Sequence, residues 1–171
     1  MKTTIYAVFI VSLFGFIFFS CEKESDNQNT VTGQLVSNSA CKYNTESSFQ
    51  DQGTPDTLSC VEYSFDENEN KLTLKHINAG FNCCFDSLYC EISQEGDTIQ
   101  IQEIEKNPQC YCECLYDLNI EINGIERKKY QLDFIEPYRL KLEKLAFEID
   151  LTESETGSFC VTRKRCPWGI E

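Results

Sequence analysis

Hydrophobic and polar residues alternate in short bursts along most of this chain, and a period of two is the signature of half-buried strands. Val31 to Val36 reads as a first strand, after which Ser37 to Thr57 turns polar and predicts a long surface loop with a turn at Gly53-Thr54-Pro55-Asp56. Leu58 to Phe65 and Leu72 to Ile77 predict a hairpin around Asp66-Glu67-Asn68-Glu69-Asn70, and Leu88 to Ser93 with Thr98 to Ile104 a second around Glu95-Gly96-Asp97. On the last of these strands Ile99 and Ile101 share a face with Glu103, while Ile104 breaks step. In Cys112 to Ile122 one face carries Cys114, Tyr116, Leu118, Ile120 and Ile122, and that face is core. Asn123-Gly124 signals a turn, Tyr130 to Ile135 a strand that Pro137 interrupts, and Ser158 to Arg163 the last strand, with Cys166-Pro167-Trp168-Gly169 tucking in the end. Leu140 to Leu151 also reads as strand, although its first half, Leu140 to Leu145, could form a short helix because Leu, Lys and Glu favour one. About eight or nine short strands without a long helical repeat predict an all-β domain, an antiparallel sandwich of the immunoglobulin-like class. A closed β-barrel is the alternative.

The first thirty residues stand outside this pattern. Lys2 precedes an uncharged run from Ile5 to Ser20, which is shorter than the roughly 20 residues a membrane helix needs and matches a cleaved export signal. Phe18-Phe19-Ser20-Cys21 resembles the lipobox of bacterial lipoproteins, in which the cysteine after the cut accepts diacylglycerol. Glu22-Lys23-Glu24-Ser25-Asp26 resembles the acidic tag that carries lipoproteins of Bacteroidota to the outer face of the outer membrane. Residues 22 to 30 hold no aliphatic or aromatic side chain and cannot build a core. The expected organisation is a signal peptide over 1–20, a lipidated flexible tether over 21–30, and a single β domain over 31–171.

Charge narrows the range of partners. The chain has 28 acidic and 15 basic residues, and loss of Lys2 with the signal leaves 14 basic ones and a formal charge of −14. Nucleic acid would be repelled. The expected membrane contact is the lipid on Cys21, and no cofactor is expected.

Assigning Cys21 to the lipid leaves ten of the eleven cysteines: Cys41, Cys60, Cys83, Cys84, Cys90, Cys110, Cys112, Cys114, Cys160 and Cys166. An exported chain meets an oxidising compartment, where ten cysteines can form five disulfides. Alternate residues on a strand lie about 7 Å apart on one face, the outer limit for a bridge between them. Cys110, Cys112 and Cys114 are therefore expected to pair with Cys83, Cys84 and Cys90, which leaves Cys41, Cys60, Cys160 and Cys166 for two more bridges. Proximity in sequence favours Cys41 with Cys60, a closure of about 20 residues worth roughly 3 kcal/mol. For Cys83 and Cys84 to meet one face, the chain there must bulge or turn, and Asn78-Ala79-Gly80 supplies a turn signal.

Other chemistries fit less well. Three thiolates at Cys110, Cys112 and Cys114 with His76 would suit zinc or copper(I) by ligand type, but the alternate spacing is unlike paired C-x-x-C knuckles. His76, the sole histidine, shares an apolar strand face with Leu72 and Leu74, as a hydrogen-bonded core histidine does. Asp66, Asn68 and Asn70 alternate like calcium ligands, yet Lys71 stands where the loop needs glycine and Ile77 where it needs glutamate. No C-x-x-C redox motif and no Gly-x-Ser-x-Gly elbow occurs. A carboxylate pair for glycoside cleavage has no sequence signature among so many acids.

Cys60-Val61-Glu62-Tyr63-Ser64, His76-Ile77-Asn78-Ala79-Gly80-Phe81-Asn82-Cys83-Cys84, Cys112-Glu113-Cys114-Leu115-Tyr116-Asp117, Glu136-Pro137-Tyr138 and Pro167-Trp168-Gly169 resemble landmarks of uncharacterised cysteine-rich secreted lipoproteins of Bacteroidota and related bacteria. The resemblance spans nearly all of the mature chain. It implies location and fold and brings no catalytic residue with it. The expected function is a surface-anchored binding or structural module for a protein or glycan ligand, not an enzyme, with a metal-binding lipoprotein as the alternative.

Overall fold

The alternating segments become nine strands in this computed structural model, which describes residues 30–42 and 54–168. They are β1 (Thr32–Asn38), β2 (Leu58–Asp66), β3 (Lys71–Asn82), β4 (Ser87–Glu95), β5 (Thr98–Lys106), β6 (Glu113–Asn123), β7 (Lys129–Ile135), β8 (Ala146–Asp150) and β9 (Thr156–Thr162). The expected signal peptide, Cys21, most of the tether, the middle of the polar loop (43–53) and Gly169 lie outside the described residues.

Two sheets face each other and do not close into a barrel, one ordered β1-β6-β3-β2-β9 and the other β4-β5-β7-β8. Period-two alternation makes each sheet amphipathic, so the inward faces meet in a core. Val61, Leu72, Leu74, Leu118, Ile120 and Ile122 from the five-stranded sheet pack against Ile99, Ile101, Leu132, Phe134, Phe147 and Ile149 from the four-stranded one. Stacked Phe147 and Phe159 rings, with centroids 4.7 Å apart, close one long side between the edge strands β8 and β9.

Pairing departs from the purely antiparallel expectation at one place. After β5 the chain crosses to the other sheet as β6 and returns as β7, so β5 and β7 run parallel. A parallel neighbour requires such a crossover, and here a whole strand serves as the connection. This contact and the seat of β1 beside β6 also set the strand order apart from the immunoglobulin arrangement.

Leu140 to Leu145 forms neither strand nor helix. Pro137 lacks the donor that would continue β7, and Leu142 N–H donates back to Arg139 O in a turn, with Leu140 at φ 50°. Only from Ala146 does the chain pair again, and Leu145 just before it is buried.

Asn78-Ala79-Gly80, expected as a turn, is a bulge inside a longer β3. Register shifts between His76 and Ala79, and Asn78 adopts φ 62°, a region asparagine tolerates better than most residues. Its side-chain amide donates to Pro55 O at 3.0 Å and Leu58 O at 2.8 Å, fixing the bulge from outside. The extra residue keeps His76, Ala79 and Phe81 buried and leaves Gly80 toward the C-terminal segment. A β-carbon on Gly80 would come within 2.8 Å of both Pro167 and Trp168, so only glycine lets the indole seat there. Trp168 Nε1–H then donates to Asn78 O at 2.5 Å.

Two substitutions measure this seat. Gly80→Ala should cost about 1–3 kcal/mol through overpacking, and Trp168→Ala about 3–5 kcal/mol through lost burial. Urea denaturation checks both, and unchanged midpoints would mean that the C-terminal segment does not brace β3.

Candidate functional site

Two constellations of chemistry-bearing residues emerge, one inside the sandwich and one at its end. In the interior, His76 stands on β3 where the bulge holds it inward, and its Nδ1 lies 2.6 Å from Glu103 Oε1 on β5 of the facing sheet. Its Nε2 lies 2.8 Å from Ser59 Oγ on β2. Close by, Arg163 at the end of β9 grips both oxygens of Glu136, just past β7, at 2.6 and 2.7 Å. Those two bonds come from Nη2, while Nη1 donates to Glu143 O, and the guanidinium stacks on Trp168 at 5.1 Å from the ring centroid. Ser59, His76 and Arg163 are fully buried, and Glu103 and Glu136 nearly so.

Ser59, His76 and Glu103 have the connectivity of a nucleophile relay, but charge balance gives them another role. Two buried carboxylates require two cations nearby, because an isolated buried charge costs several kcal/mol. Arg163 supplies one, and His76 as an imidazolium supplies the other. Burial acts to lower the His76 pKa, yet the charge and hydrogen bond of Glu103, aided by Glu136, outweigh it and raise the value. Burial likewise pushes the Glu136 carboxyl up, against the pull of His76 and Arg163. A protonated His76 donates from both nitrogens, so Nε2–H donates to Ser59 Oγ and cannot take its proton. Ser59 is also closed to any substrate, being fully buried. The array is a cross-sheet clamp, not a hydrolytic site.

At one end of the sandwich the cysteines gather. Cys83–Cys112 and Cys84–Cys110 are bridged, as the expected pairing between the two groups requires, but the third bridge differs: Cys114 joins Cys41. The register explains it, since β1 runs antiparallel along β6 with Asn38 opposite Leu118, so continuing it brings Cys41 alongside Cys114. Cys60 pairs with its cross-strand neighbour Cys160, not with Cys41, because β6 and β3 separate β1 from β2. There are therefore four bridges among the described residues, and Cys90 and Cys166 carry thiols. Cys90 lies half-buried on β4 opposite Glu103, where burial first and that charge second drive its pKa upward.

The metal alternative's ligands are not brought together. Cys110, Cys112 and Cys114 are each in a disulfide, and both His76 nitrogens are held by Ser59 and Glu103. No group of three His, Cys, Asp or Glu among the described residues could hold a metal ion. In the acidic hairpin Asp66 Oδ1 accepts from Asn68 and Glu69 N–H, while Glu67 pairs with Arg127, so these carboxylates serve the turn.

The two short bridges frame a recess of about 580 Å³ lined by Asn82, Pro108, Cys110, Tyr111, Cys112, Glu113, Tyr138 and Cys166. Three of its lining residues, Asn82, Cys110 and Tyr138, belong to a polar network that runs through Glu105. Tyr138 O–H donates to Glu105 Oε1 at 2.6 Å, Glu105 Oε2 accepts from Asn82 N–H at 2.7 Å, and the Asn82 amide donates to Cys110 O at 2.5 Å. Tyr111, between the two bridged cysteines, is fully exposed at 112%. Sequence reasoning singled out the cysteines, His76 and Asn82, and named Glu136 and Tyr138 only as landmarks of a resemblance, with no role; it gave Ser59, Arg163 and Tyr111 none. Glu103 gave a signal as an acid in step with Ile99 and Ile101.

Removing one partner of the clamp with Glu103→Ala should cost about 3–5 kcal/mol by stranding a buried cation. The pH dependence has a definite sign. The raised His76 pKa gives stability that is full below the unfolded value of about 6.5 and is lost as pH rises through the folded-state value. The melting temperature should therefore fall as pH rises above about 6.5, with a smaller fall in His76→Gln; equal slopes would refute a charged His76. No protein-family model, no curated protein and no solved structure matches the chain.

Proposed function

We propose that the protein is a surface-anchored extracytoplasmic lipoprotein, attached through a lipid on Cys21, that acts as a binding module with its disulfide-framed end as the recognition face. The observation that carries this reading is Tyr111, a fully exposed aromatic ring held between two bridged cysteines beside a recess. An exposed aromatic gains little for stability, whereas a rigid one is ready-made for binding because its ordering cost is already met. A recess of about 580 Å³ falls in the size range of small-ligand sites.

The direction of the chain supports the same assignment. Thr32 pairs with Asn123 at the far end of β6, whereas Cys112 immediately precedes its near end. Ten residue steps along that strand span about 33 Å, so the tether reaches the domain at the pole opposite Tyr111. An anchor at Cys21 would leave the recess facing away from the membrane.

The test is a screen of the domain from residue 22 onward against glycan and protein arrays, repeated with Tyr111→Ala. Hits should weaken by about tenfold or more, or roughly 1.4 kcal/mol, with an unchanged melting temperature. Binding unaffected by Tyr111→Ala, or lost only on mutation of Asp97 and Lys128, which line a recess with Thr30 and Val31 at the tether pole, would overturn the assignment.

A further inference from the structure

Basic side chains without an ion pair gather at one pole of this acidic molecule. Among the described residues they are Lys75, Lys106, Arg139, Lys141, Lys164 and Arg165, and every other described lysine or arginine is matched to a carboxylate. Lys75 alone lies elsewhere, in the middle of β3. Lys106 ends β5 two residues before Pro108, Arg139 and Lys141 follow Tyr138, and Lys164 and Arg165 precede Cys166. Pro108, Tyr138 and Cys166 all line the recess beside Tyr111, so three separate segments bring unpaired cations to its surroundings. The acids of this pole are mostly engaged. Asp86 accepts from the Asn107 and Gln109 amides, Glu105 from Asn82 N–H and Tyr138 O–H, and Glu136 holds Arg163. Glu113 and Glu143 are left to face those cations.

Apolar surface is added at the same pole. Leu140, two residues beyond Tyr138, stands 74% exposed between Arg139 and Lys141. Its turn is pinned: Leu142 N–H donates to Arg139 O, Arg139 Nη1–H donates to Leu142 O, and the Glu143 carbonyl is held by buried Arg163. Leu140 itself sits at φ 50°, a conformation leucine seldom adopts. A leucine fixed in the open, like Tyr111, has its ordering cost met before any partner arrives.

We infer that this pole is a docking surface for an acidic segment of another protein, one in which Asp or Glu alternates with large apolar side chains. The inference rests on the reading of this pole as the recognition face and names the class of partner it takes. Unpaired cations supply counter-ions for the carboxylates, while Tyr111 and Leu140 supply contacts for the apolar side chains. An anionic glycan would use the cations and leave Leu140 in water. A lipid surface would use both, but a tether anchored at Cys21 would hold this pole away from its own membrane. The net negative charge of the chain does not forbid an acidic partner, because screening at physiological salt acts over about 8 Å. The local cations therefore govern close approach, and the carboxylates of the tether pole, roughly 33 Å away, do not.

The experiment presents the immobilised full chain to four probes: a peptide library in which Asp and Glu alternate with Leu and Phe, the same library with Lys replacing the acids, heparin, and vesicles of phosphatidylglycerol and phosphatidylcholine. By surface plasmon resonance the acidic library should bind at least about tenfold more tightly than each of the others. Its binding should weaken by about tenfold between roughly 50 and 300 mM salt, a readout that needs no variant to fold. The double neutralisation Lys164→Gln/Arg165→Gln should slow association by about tenfold, whereas Lys75→Glu, the same change in net charge on β3, should leave it within about twofold. Leu140→Asn, chosen because asparagine tolerates the left-handed conformation, should speed dissociation by about fivefold or more. Equal binding of the lysine library, equal or tighter binding of heparin or vesicles, no binding of the acidic library, or equal slowing by Lys75→Glu would sink the inference. Array hits that depend on Tyr111 while the acidic library fails leave the recognition face standing and remove only this partner class. Acidic peptides that bind through Leu140 and Arg165 but not Tyr111 do the reverse.

Discussion

Two carboxylates lie between the sheets of a strongly acidic chain, and their neutralisation is the constraint on which the sandwich depends. Glu103 and Glu136 both come from the four-stranded sheet and its loops, and both cations, His76 and Arg163, come from the five-stranded sheet. The charge balance is thus divided between layers. Neither sheet can bury its inner face alone without an uncompensated ion, so correct apposition is enforced electrostatically as well as by apolar area. Hydrophobic burial is non-directional and would tolerate a slipped pairing of the layers; two short, oriented ion pairs do not. The bulge at Asn78 serves the same end, since it keeps both His76 and Phe81 facing inward along one strand.

Most of the fold was legible because amphipathic strands advertise themselves through alternation. The inward set Leu118, Ile120 and Ile122 and the acid in step with Ile99 and Ile101 follow from a period of two alone. What alternation cannot convey is which strands become neighbours. The parallel contact of β5 with β7 depends on β6 leaving the sheet, a tertiary event with no local residue signature. Leu140 to Leu145 misled because its helix-forming residues are overruled by Pro137 and by the turn that follows it. Asn78-Ala79-Gly80 was correctly marked as irregular but misassigned, since a bulge and a turn ask for the same permissive residues.

The candidate site was less legible, and for a related reason. Counting cysteines gives an even number but no partners, and partners are fixed by strand order. Cys60 and Cys160 are 100 residues apart in sequence yet face one another across a ladder. Ser59 and Arg163 looked like ordinary strand and tail residues, and only the approach of the two sheets makes them buried polar contacts. Tyr111 showed no signal at all, because full exposure of an aromatic is the outcome of its neighbours being bridged beneath it.

The C-terminal segment carries a consequence for how the chain is made. Cys160, Arg163 and Trp168 supply a disulfide, the counter-ion of Glu136 and the cover over Gly80, all from the last stretch of the described sequence. A chain emerging from its amino terminus cannot complete the clamp until this stretch has followed. The clamp and the cover over Gly80 are thereby deferred until residues 160–168 have been made, although most of the strands they brace come earlier in the chain.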